Sequence, residues 1–386
     1  MNNIKPKLLF IGPLPPPYSG PELSMKLFLD SKNLNNAFAI SFLQTNFRNN
    51  NVNKGKFGFL MVINFFKFFY RLLKELLFNR PGCVYYPVTP TQTGWIGRDL
   101  WTILLCKLFK TKVIIHLRGS HFQLNFAHFN IVIKYFIGFA LSKVDKAIVQ
   151  ANYLKNQFHP YINLSDVEVL YQAIDLNEFP LGNANEIIEG KILIIGHLTK
   201  AKGFTDILKI IPKLATEFPF IKFYFAGNMR KGERGVFFNQ FNGATILYED
   251  PFDAEKIILN SDFKRNYCNL GIIEGDEKLK HFQTSDIFLS ASYSEGFSRS
   301  LLEAMTVGKP LVYSLVGAHK EVLSNQNGIG FVPGNIDEIY ESLKKMIINS
   351  ERKNIGIFNR RQVLIDFSIE KIVEDFKTII LKTLLK

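Results

Sequence analysis

The sequence predicts an α/β fold built from two doubly wound domains, and two short segments carry that prediction. Residues 7–14 (KLLFIGPL) and 191–198 (KILIIGHL) share one pattern: an unbroken apolar run that ends at a glycine. An unbroken apolar strand is typical of a parallel sheet that helices cover on both faces. The length of 386 residues fits about two domains, and a hydrophobic content of 47% is enough for two packed cores.

Further apolar runs predict the remaining strands, with helical patterns between most of them. They cover residues 38–43, 84–87, 112–117, 146–150 and 167–171 in the first half, and 221–226, 286–290, 311–314 and 330–332 in the second. A Gly-Asn-Ala-Asn segment at 182–185 interrupts the pattern and indicates a linker. We therefore expect domains at 1–185 and 186–365, followed by a last helix at 366–386 that is apolar along one face.

Cysteine usage and hydropathy narrow the class of protein. Cys83, Cys106 and Cys268 lack the spacing of a metal site or a disulfide framework, so we expect a protein of the reducing cytoplasm with neither a disulfide framework nor a zinc site. No cofactor is expected apart from the donor substrate. Only four apolar residues follow the basic N-terminal residues, too few for a secretory signal. The most apolar stretches, 57–78 and 122–141, are interrupted by charged and polar side chains and do not predict a membrane span.

The most informative segment is residues 294–305 (SEGFSRSLLEAM), which follows a predicted strand and precedes Gly308, a typical helix-ending residue. Glu295 is expected in the strand-to-helix loop, and residues 298–300 at the helix N-terminus. Backbone N–H groups and the helix dipole make that end an anion site. Glu303 would lie about one turn into the helix and face the same ligand. Phosphate at the N–H groups and hydroxyls at the carboxylates suit a nucleotide sugar.

Two glutamates separated by seven residues, followed by Ala304-Met305, resemble the E-x7-E segment of retaining glycosyltransferases with the GT-B fold (family 4, glycosyl transferases group 1). The resemblance implies two Rossmann-like domains that face an interdomain cleft, with the terminal helix packing back on the first. It also implies that Glu295 contacts the donor sugar and that Glu303 binds the ribose hydroxyls. Taken alone, Ser300-x-x-Glu303 is also compatible with a capping box that has no chemical role.

The loop after the second glycine-ended strand, residues 196–203 (GHLTKAKG), resembles the G-R-L-x-x-x-K-G loop with which the family clamps the donor diphosphate. Lys202 matches the lysine, whereas His197 stands where arginine is usual and offers one N–H donor instead of a fork of five. Lys200 could supply the missing charge; alternatively, both lysines are solvated loop residues. Fixed cations and N–H donors at the leaving oxygen can do what a metal does in other enzymes, so we expect no metal.

The resemblance extends to other loops of both domains. It implies that Gly271 and Ile272 border the nucleobase, and that the loop at residues 12–22, where Ser19 replaces the family's first glycine, faces the donor phosphates through Gly20. A plain turn is the alternative for that loop. The full donor-binding set expected is Gly20, His197, Lys202, Gly271, Ile272, Glu295, Gly296, Phe297, Ser298, Ser300, Leu301 and Glu303.

His116 and Arg118 are two residues apart at the end of the predicted strand at 112–117. Both therefore point to one side near its carboxyl end, where open α/β sheets bind ligands. The family often has a histidine directly before the following glycine; here Arg118 takes that place and His116 comes two residues earlier. With Glu295, both are candidate catalytic residues. Which of the two meets the reacting sugar stays open, position favours His116, and His121 is a third, weaker candidate.

We therefore expect a retaining, metal-independent hexosyltransferase that moves a sugar from a nucleoside-diphosphate sugar to an acceptor hydroxyl. The expected setting is the biosynthesis of bacterial surface polysaccharide or lipopolysaccharide. The resemblance implies attack from the leaving-group face, with the departing phosphate taking the proton. Two alternatives stay open: a GT-B-type nucleotide-sugar epimerase, and a non-catalytic partner subunit that binds nucleotide sugar.

Charge is distributed unevenly along the chain. Residues 1–180 contain 20 Lys and Arg against 9 acidic residues, whereas residues 181–386 contain 27 against 25. If residues 64–78 are helical, one face is apolar and the other carries Lys67, Arg71 and Lys74. Such a helix suits an anionic membrane surface, so we expect peripheral association with the cytoplasmic membrane's inner face and a lipid-linked or saccharide acceptor. The alternative is a domain helix with a solvated basic face; without a recognition motif, nucleic acid is not expected.

Overall fold

The computed structural model describes residues 5–16, 20–45, 59–231 and 238–385, with side chains from residue 63 onward in the third range. The chain divides into two compact units, Met1–Ala173 with Ile369–Lys386 and Ile174–Ser368. The division comes earlier than residue 185. The reason is that Ile174 already forms a parallel bridge with Ser368, and Phe179 packs against Phe282.

The first unit contains a parallel sheet formed by apolar strands. Its strands are β1 (Lys7–Gly12), β2 (Ala39–Gln44), β3 (Cys83–Val88), β4 (Lys112–Leu117), β5 (Lys146–Val149) and β6 (Val167–Val169). Among the described residues they form a six-stranded sheet in the order β2-β1-β3-β4-β5-β6. All neighbouring pairs are parallel, as the unbroken apolar runs predicted.

Helices cover both faces of this sheet. They are α1 (Gly20–Asp30), α2 (Lys32–Ala37), α3 (Phe59–Lys74), α4 (Gln92–Gly94), α5 (Leu100–Leu108), α6 (Phe122–Ala127), α7 (Ile131–Leu141) and the C-terminal helix Ile369–Leu385. Short π-helical turns at Glu75–Asn79 and Trp95–Asp99 extend α3 and join α4 to α5. The C-terminal helix packs with α1 and α2 in one apolar core, which contains Phe28 and Phe376 stacked at 4.6 Å.

The second unit repeats the architecture with a different strand order. Its strands are β7 (Lys191–Ile195), β8 (Lys222–Ala226), β9 (Tyr267–Gly271), β10 (Ile287–Ser290), β11 (Leu311–Ser314) and β12 (Gly328–Phe331). In the described chain they form a six-stranded parallel sheet in the order β12-β11-β10-β7-β8-β9. The order reverses between β7 and β10, and in open α/β sheets such a reversal marks the ligand crevice.

Along the chain, the helices of the second unit alternate with these strands, and the last two follow β12. They are α8 (Phe204–Glu217), α9 (Pro251–Leu259), α10 (Gly275–Thr284), α11 (Arg299–Thr306), α12 (His319–Val322), α13 (Ile336–Ile347) and α14 (Arg352–Gln362). One expectation is corrected here: Gly271, interpreted as a loop residue, is the last residue of β9. An edge strand is half exposed, and its polar residues conceal the strand pattern in the sequence.

Candidate active site

The loops that follow β7 and β10 pack directly on each other at the carboxyl edge of the second sheet. Gly203 has a left-handed backbone with φ of +74°, and a Cβ there would lie 2.3 Å from the carbonyl oxygen of Ala291. A side chain would therefore force the two loops apart. The Tyr293 N–H also donates to the Ala201 carbonyl at 3.0 Å. This close approach brings Lys202 to the loop that contains Glu295.

Lys202 and Glu295 form an ion pair at this edge. The Lys202 Nζ lies 2.5 Å from Glu295 Oε1, and the Ser292 hydroxyl donates to the same oxygen at 2.8 Å. Burial raises the pKa of Glu295, but the charge of Lys202 and the hydrogen bonds from Lys202 and Ser292 outweigh it, so the net pKa is lowered. The carboxylate is therefore held ionised, as a group that stabilises positive charge must be.

The loop after β11 packs against the other side of Glu295. Gly317 has φ of +48°, and a Cβ there would lie 2.2 Å from the Glu295 carbonyl oxygen. The Ala318 N–H donates to the Gly296 carbonyl at 2.9 Å. Next in sequence, the buried His319 ring donates from Nδ1 to the Ser314 carbonyl at 3.1 Å. Burial lowers the pKa of His319, and the nearby negative charge of Glu295 partly opposes this.

Helix α11 begins beside the end of β7. Ser298 is its N-cap and accepts a hydrogen bond from the Leu301 N–H, while the Ser300 hydroxyl donates to the Ile195 carbonyl at 3.1 Å. The positive end of the helix dipole therefore lies at the same sheet edge as Lys202. The capping-box interpretation of Ser300 and Glu303 is wrong, because the cap is Ser298 and the third residue after it is Leu301.

Glu303 is buried within α11 and is bound by two cations. Its carboxylate lies 2.6 Å from Lys278 Nζ and 3.1 Å from Arg299 Nε, and its side chain is 2% exposed. Arg299 also lies 3.7 Å from Glu178. Removing one partner of such a buried ion pair is strongly destabilising. Glu303 thus has a structural role in addition to any contact with a ligand.

Lys200, the residue expected to supply the charge that His197 lacks relative to the family pattern, is itself paired with carboxylates. Its ammonium lies 2.5 Å from Asp206 and 3.2 Å from Glu249, so two carboxylates compensate it. Burial raises the pKa of Glu249, but the hydrogen bonds from Lys209 and Lys200 and the charge of Lys200 lower it to about 2. The His197 side chain is exposed.

The other expected donor-binding residues occupy two kinds of position. The Phe297 side chain packs between His319 and Phe367, and the Leu301 side chain is fully buried, so both belong to the core of the unit. Gly271 ends β9 at the sheet edge and accepts a hydrogen bond from the Gly227 N–H at 2.6 Å. The exposed Ile272 follows it, two strands away from the Lys202–Glu295 pair.

Gly20, His116 and Arg118 belong to the first unit. Gly20 is the first residue of α1, and Ser19 lies outside the described residues. His116 is 1% exposed and its Nδ1 lies 2.7 Å from the Tyr85 hydroxyl. Arg118 donates to the same hydroxyl at 3.1 Å and stays partly exposed. Burial and the charge of Arg118 lower the pKa of His116 well below its usual value. The His116 ring is therefore a core group, and Arg118 is the one of the pair that solvent reaches.

Sequence reasoning missed three side chains that support the site. Ser292 and Gln240 hold Glu295, the latter by accepting from its N–H at 3.2 Å, and Lys278 pairs with Glu303. Ser292 precedes Glu295 by three residues, so its closeness to Glu295 could have been predicted from the sequence. Gln240 and Lys278 carry no local signal, because only the folded chain brings them near their partners.

Within the ranges the structure describes, no group of three or more His, Cys, Asp or Glu side chains is arranged to hold a metal ion. In the same ranges, no helix combines the length and apolarity needed to cross a membrane.

Known proteins resemble this chain in sequence and in fold. The family model for glycosyl transferases group 1 matches residues 183–362. An uncharacterized glycosyltransferase of Haemophilus influenzae is 24% identical over 269 residues, covering 69% of this chain and 70% of that protein. The Anabaena protein HepE, solved in complex with UDP and glucose, superposes with a TM-score of 0.70 at 13% identity. The match covers 97% of this chain and 100% of that protein. The lipopolysaccharide outer core galactosyltransferase WaaB superposes with a TM-score of 0.65 at 15% identity. The match covers 97% of this chain and 99% of that protein.

The matched segment contains the Lys202 loop and the whole E-x7-E segment, the two features on which the resemblance was based. At these low identities the solved structures show the fold, which is the predicted α/β two-domain GT-B fold. Family model, relatives and fold together support a group 1 glycosyltransferase: the chain is a glycosyltransferase with the GT-B fold.

Proposed function

We propose that this glycosyltransferase works with retention of configuration and without a metal, and that it binds its nucleoside-diphosphate sugar donor at the carboxyl edge of the second sheet. The observation that carries the proposal is the Lys202–Glu295 ion pair at the reversal between β7 and β10. One cation, one ionised carboxylate and one helix N-terminus meet there. These are the groups that a departing diphosphate and a sugar with developing positive charge require.

Each group has a proposed role. Lys202 and the N-terminus of α11, with His197, Gly296, Ser298 and Ser300 beside them, hold the diphosphate, whose charge grows as the sugar bond breaks. Glu295 contacts the sugar hydroxyls and stabilises its developing positive charge. Glu303 binds the ribose, and Gly271 and Ile272 border the base. The acceptor hydroxyl attacks from the leaving-group face and transfers its proton to the departing phosphate, so no enzyme base is needed.

Metal independence has a chemical reason in this proposal. The ammonium of Lys202 has three N–H donors, and the Glu295 contact uses one of them. The remaining donors and the helix dipole face the same sheet edge and supply positive charge where a diphosphate would lie. This arrangement does the work for which other transferases use a divalent cation.

The proposed acceptor is a lipid-linked or lipopolysaccharide-type saccharide, reached at the inner face of the cytoplasmic membrane. One structural neighbour is named as a lipopolysaccharide outer core galactosyltransferase, which supports this acceptor class. The basic excess of residues 1–180 supports it independently, because anionic lipid surfaces attract such a charge.

A panel of nucleotide sugars tests the proposal. A ligand that binds only the folded state raises the melting temperature, so the correct donor should stabilise the protein. The same donor should then be turned over with a saccharide acceptor, and NMR of the product should show the anomeric configuration of the donor. Inversion of configuration, or epimerised free nucleotide sugar, would contradict the proposal. Stabilisation without any transfer would favour a binding subunit.

A further inference from the structure

The helices of the first unit form two layers of different character. The connections β2–α3–β3, β3–α5–β4 and β4–α7–β5 all advance across the sheet in the same direction, so right-handed crossovers place α3, α5 and α7 on one face. Helix α5 contacts α7 within that layer. Helices α1 and α2 and the C-terminal helix share the core on the opposite face.

The α3–α5–α7 layer exposes large apolar side chains on its outer side. On α7 they follow one stripe of the helix, while Ile137 and Leu141 on the other side are buried. Two of them, Ile131 and Tyr135, are 76% and 73% exposed. The stripe consists of Ile131, Val132, Tyr135, Phe136 and Phe139.

Helices α3 and α5 continue this apolar surface. Leu72 of α3 and Leu76 of the π-helical turn that extends it are buried, in agreement with the predicted apolar face. Further apolar residues stay exposed on α3 and on α5. They include Phe66, Tyr70, Trp101 and Leu108. In the described part of the opposite layer, by contrast, only Leu381 and Leu385 are large apolar residues with comparable exposure.

The same surface carries more basic than acidic residues. Residues 59–143 contain eleven Lys and Arg against two acidic residues, Glu75 and Asp99. Two of the eleven, Lys107 and Lys112, pair with Asp145, and Arg118 follows strand β4. Asp99 is fully buried and accepts hydrogen bonds from Tyr86 and Thr89, so it does not reach the surface. The three basic residues of α3 are exposed, and no ion pair joins them to an acidic side chain of the described residues; they are Lys67, Arg71 and Lys74.

We infer that the α3–α5–α7 surface docks on an anionic membrane surface, with the α7 stripe entering the interfacial region and the α3 cations contacting lipid headgroups. Exposed Trp and Tyr beside Lys and Arg are typical of residues at a bilayer interface. Protein–protein interfaces are depleted of lysine, which makes a protein partner a poorer fit. The inference rests on the proposed membrane setting and assigns it to a surface.

Vesicle co-sedimentation of the full chain tests this inference. The protein should pellet with phosphatidylcholine vesicles that contain 30% phosphatidylglycerol and be released at high salt. The triple variant Lys67→Glu, Arg71→Glu, Lys74→Glu should bind at least ~10-fold more weakly. The triple variant Tyr135→Ser, Phe136→Ser, Phe139→Ser should lose binding to a similar degree, with an unchanged melting temperature because these side chains are exposed.

A matched control places the same charge change on the opposite layer. Lys26, Lys32 and Lys382 are exposed there, and their joint replacement by Glu should leave binding within about twofold of wild type. An equal loss in this control would show an effect of net charge alone and overturn the inference. Equal pelleting with pure phosphatidylcholine would overturn the headgroup contact.

Absence of vesicle binding would also overturn it. Light scattering would then show whether a second copy covers the surface, as a dimer that the α7 variant dissociates. Thermal stabilisation by nucleotide sugars, measured on the same samples, separates the outcomes: a protein that binds donor but no vesicle contradicts the membrane surface and leaves the transferase proposal standing.

Discussion

The two units share one architecture but differ in what stands at the carboxyl ends of their strands. In the second unit, Lys202 and Glu295 pair beside the N-terminus of α11. In the first unit, the strand-end His116 bonds Tyr85 inside the core, and the basic residues lie on an outer helical layer. The difference teaches that a doubly wound fold supplies positions only. Chemistry is expected where charged groups meet at the strand ends: the Lys202–Glu295 pair in the second unit and the partly exposed Arg118 in the first.

The largest expected effect belongs to the second unit's ion pair. Glu295→Ala and Lys202→Ala should each lower turnover by at least ~10²-fold, comparable to the loss of one transition-state donor. Lys200→Ala is the matched comparison in the same loop. Because Lys200 pairs with Asp206, this variant should lower the melting temperature and lower turnover much less than Lys202→Ala does. Steady-state kinetics with thermal unfolding measures both. Wild-type turnover in either of the first two variants would move the site elsewhere.

A smaller effect is expected in the first unit, where substitutions of Arg118 and His116 should differ in their effect on activity. Arg118→Ala should lower kcat/KM by about tenfold, equivalent to about 1.4 kcal/mol. His116→Phe should leave kcat/KM within about threefold and lower the free energy of unfolding by about 1 kcal/mol, since it removes a buried hydrogen bond to Tyr85. Denaturant unfolding and kinetics on the same preparations decide it. The opposite pattern would make His116 the residue that meets the sugar.

Glu303 sharpens the comparison within the second unit. Glu303→Gln should raise the donor KM by about fivefold with little change in kcat, because ribose contacts are similar in the ground and transition states. It should also lower the melting temperature, since Lys278 and Arg299 lose a buried partner. The exposed Glu341→Gln is the control and should change neither. A loss confined to kcat would contradict the ribose role.

The smallest expected effect is that of metal removal. Activity in excess EDTA should equal activity with added Mg²⁺, because Lys202 and the α11 N-terminus supply the positive charge. Initial rates with and without chelator measure this. Abolition by EDTA and rescue by Mg²⁺ or Mn²⁺ would show that the second unit's own charges are insufficient.

The sequence by itself determined the features that depend on neighbouring residues. Both glycine-ended strands, β1 and β7, and the loop-to-helix passage through Glu295 into α11 formed as predicted. Unbroken apolar runs and N-cap chemistry act over a few residues, so they can be interpreted without tertiary information. The resemblance carried by Lys202 and the E-x7-E segment likewise rested on short local patterns.

Only the tertiary structure decided which distant groups meet and which side chains stay outside. Lys202 and Glu295 are 93 residues apart, and Lys278 approaches Glu303 from another helix. The sequence placed His116 and Arg118 on one side of a strand, but packing against Tyr85 decided that the histidine is buried. Exposure follows the same logic: periodicity indicated the inner face of α3, whereas the apolar outer surface of α7 became visible only once its neighbours were in place. Periodicity can indicate which face of a helix turns inward, but how much of the opposite face stays exposed is set by the packing of the whole fold.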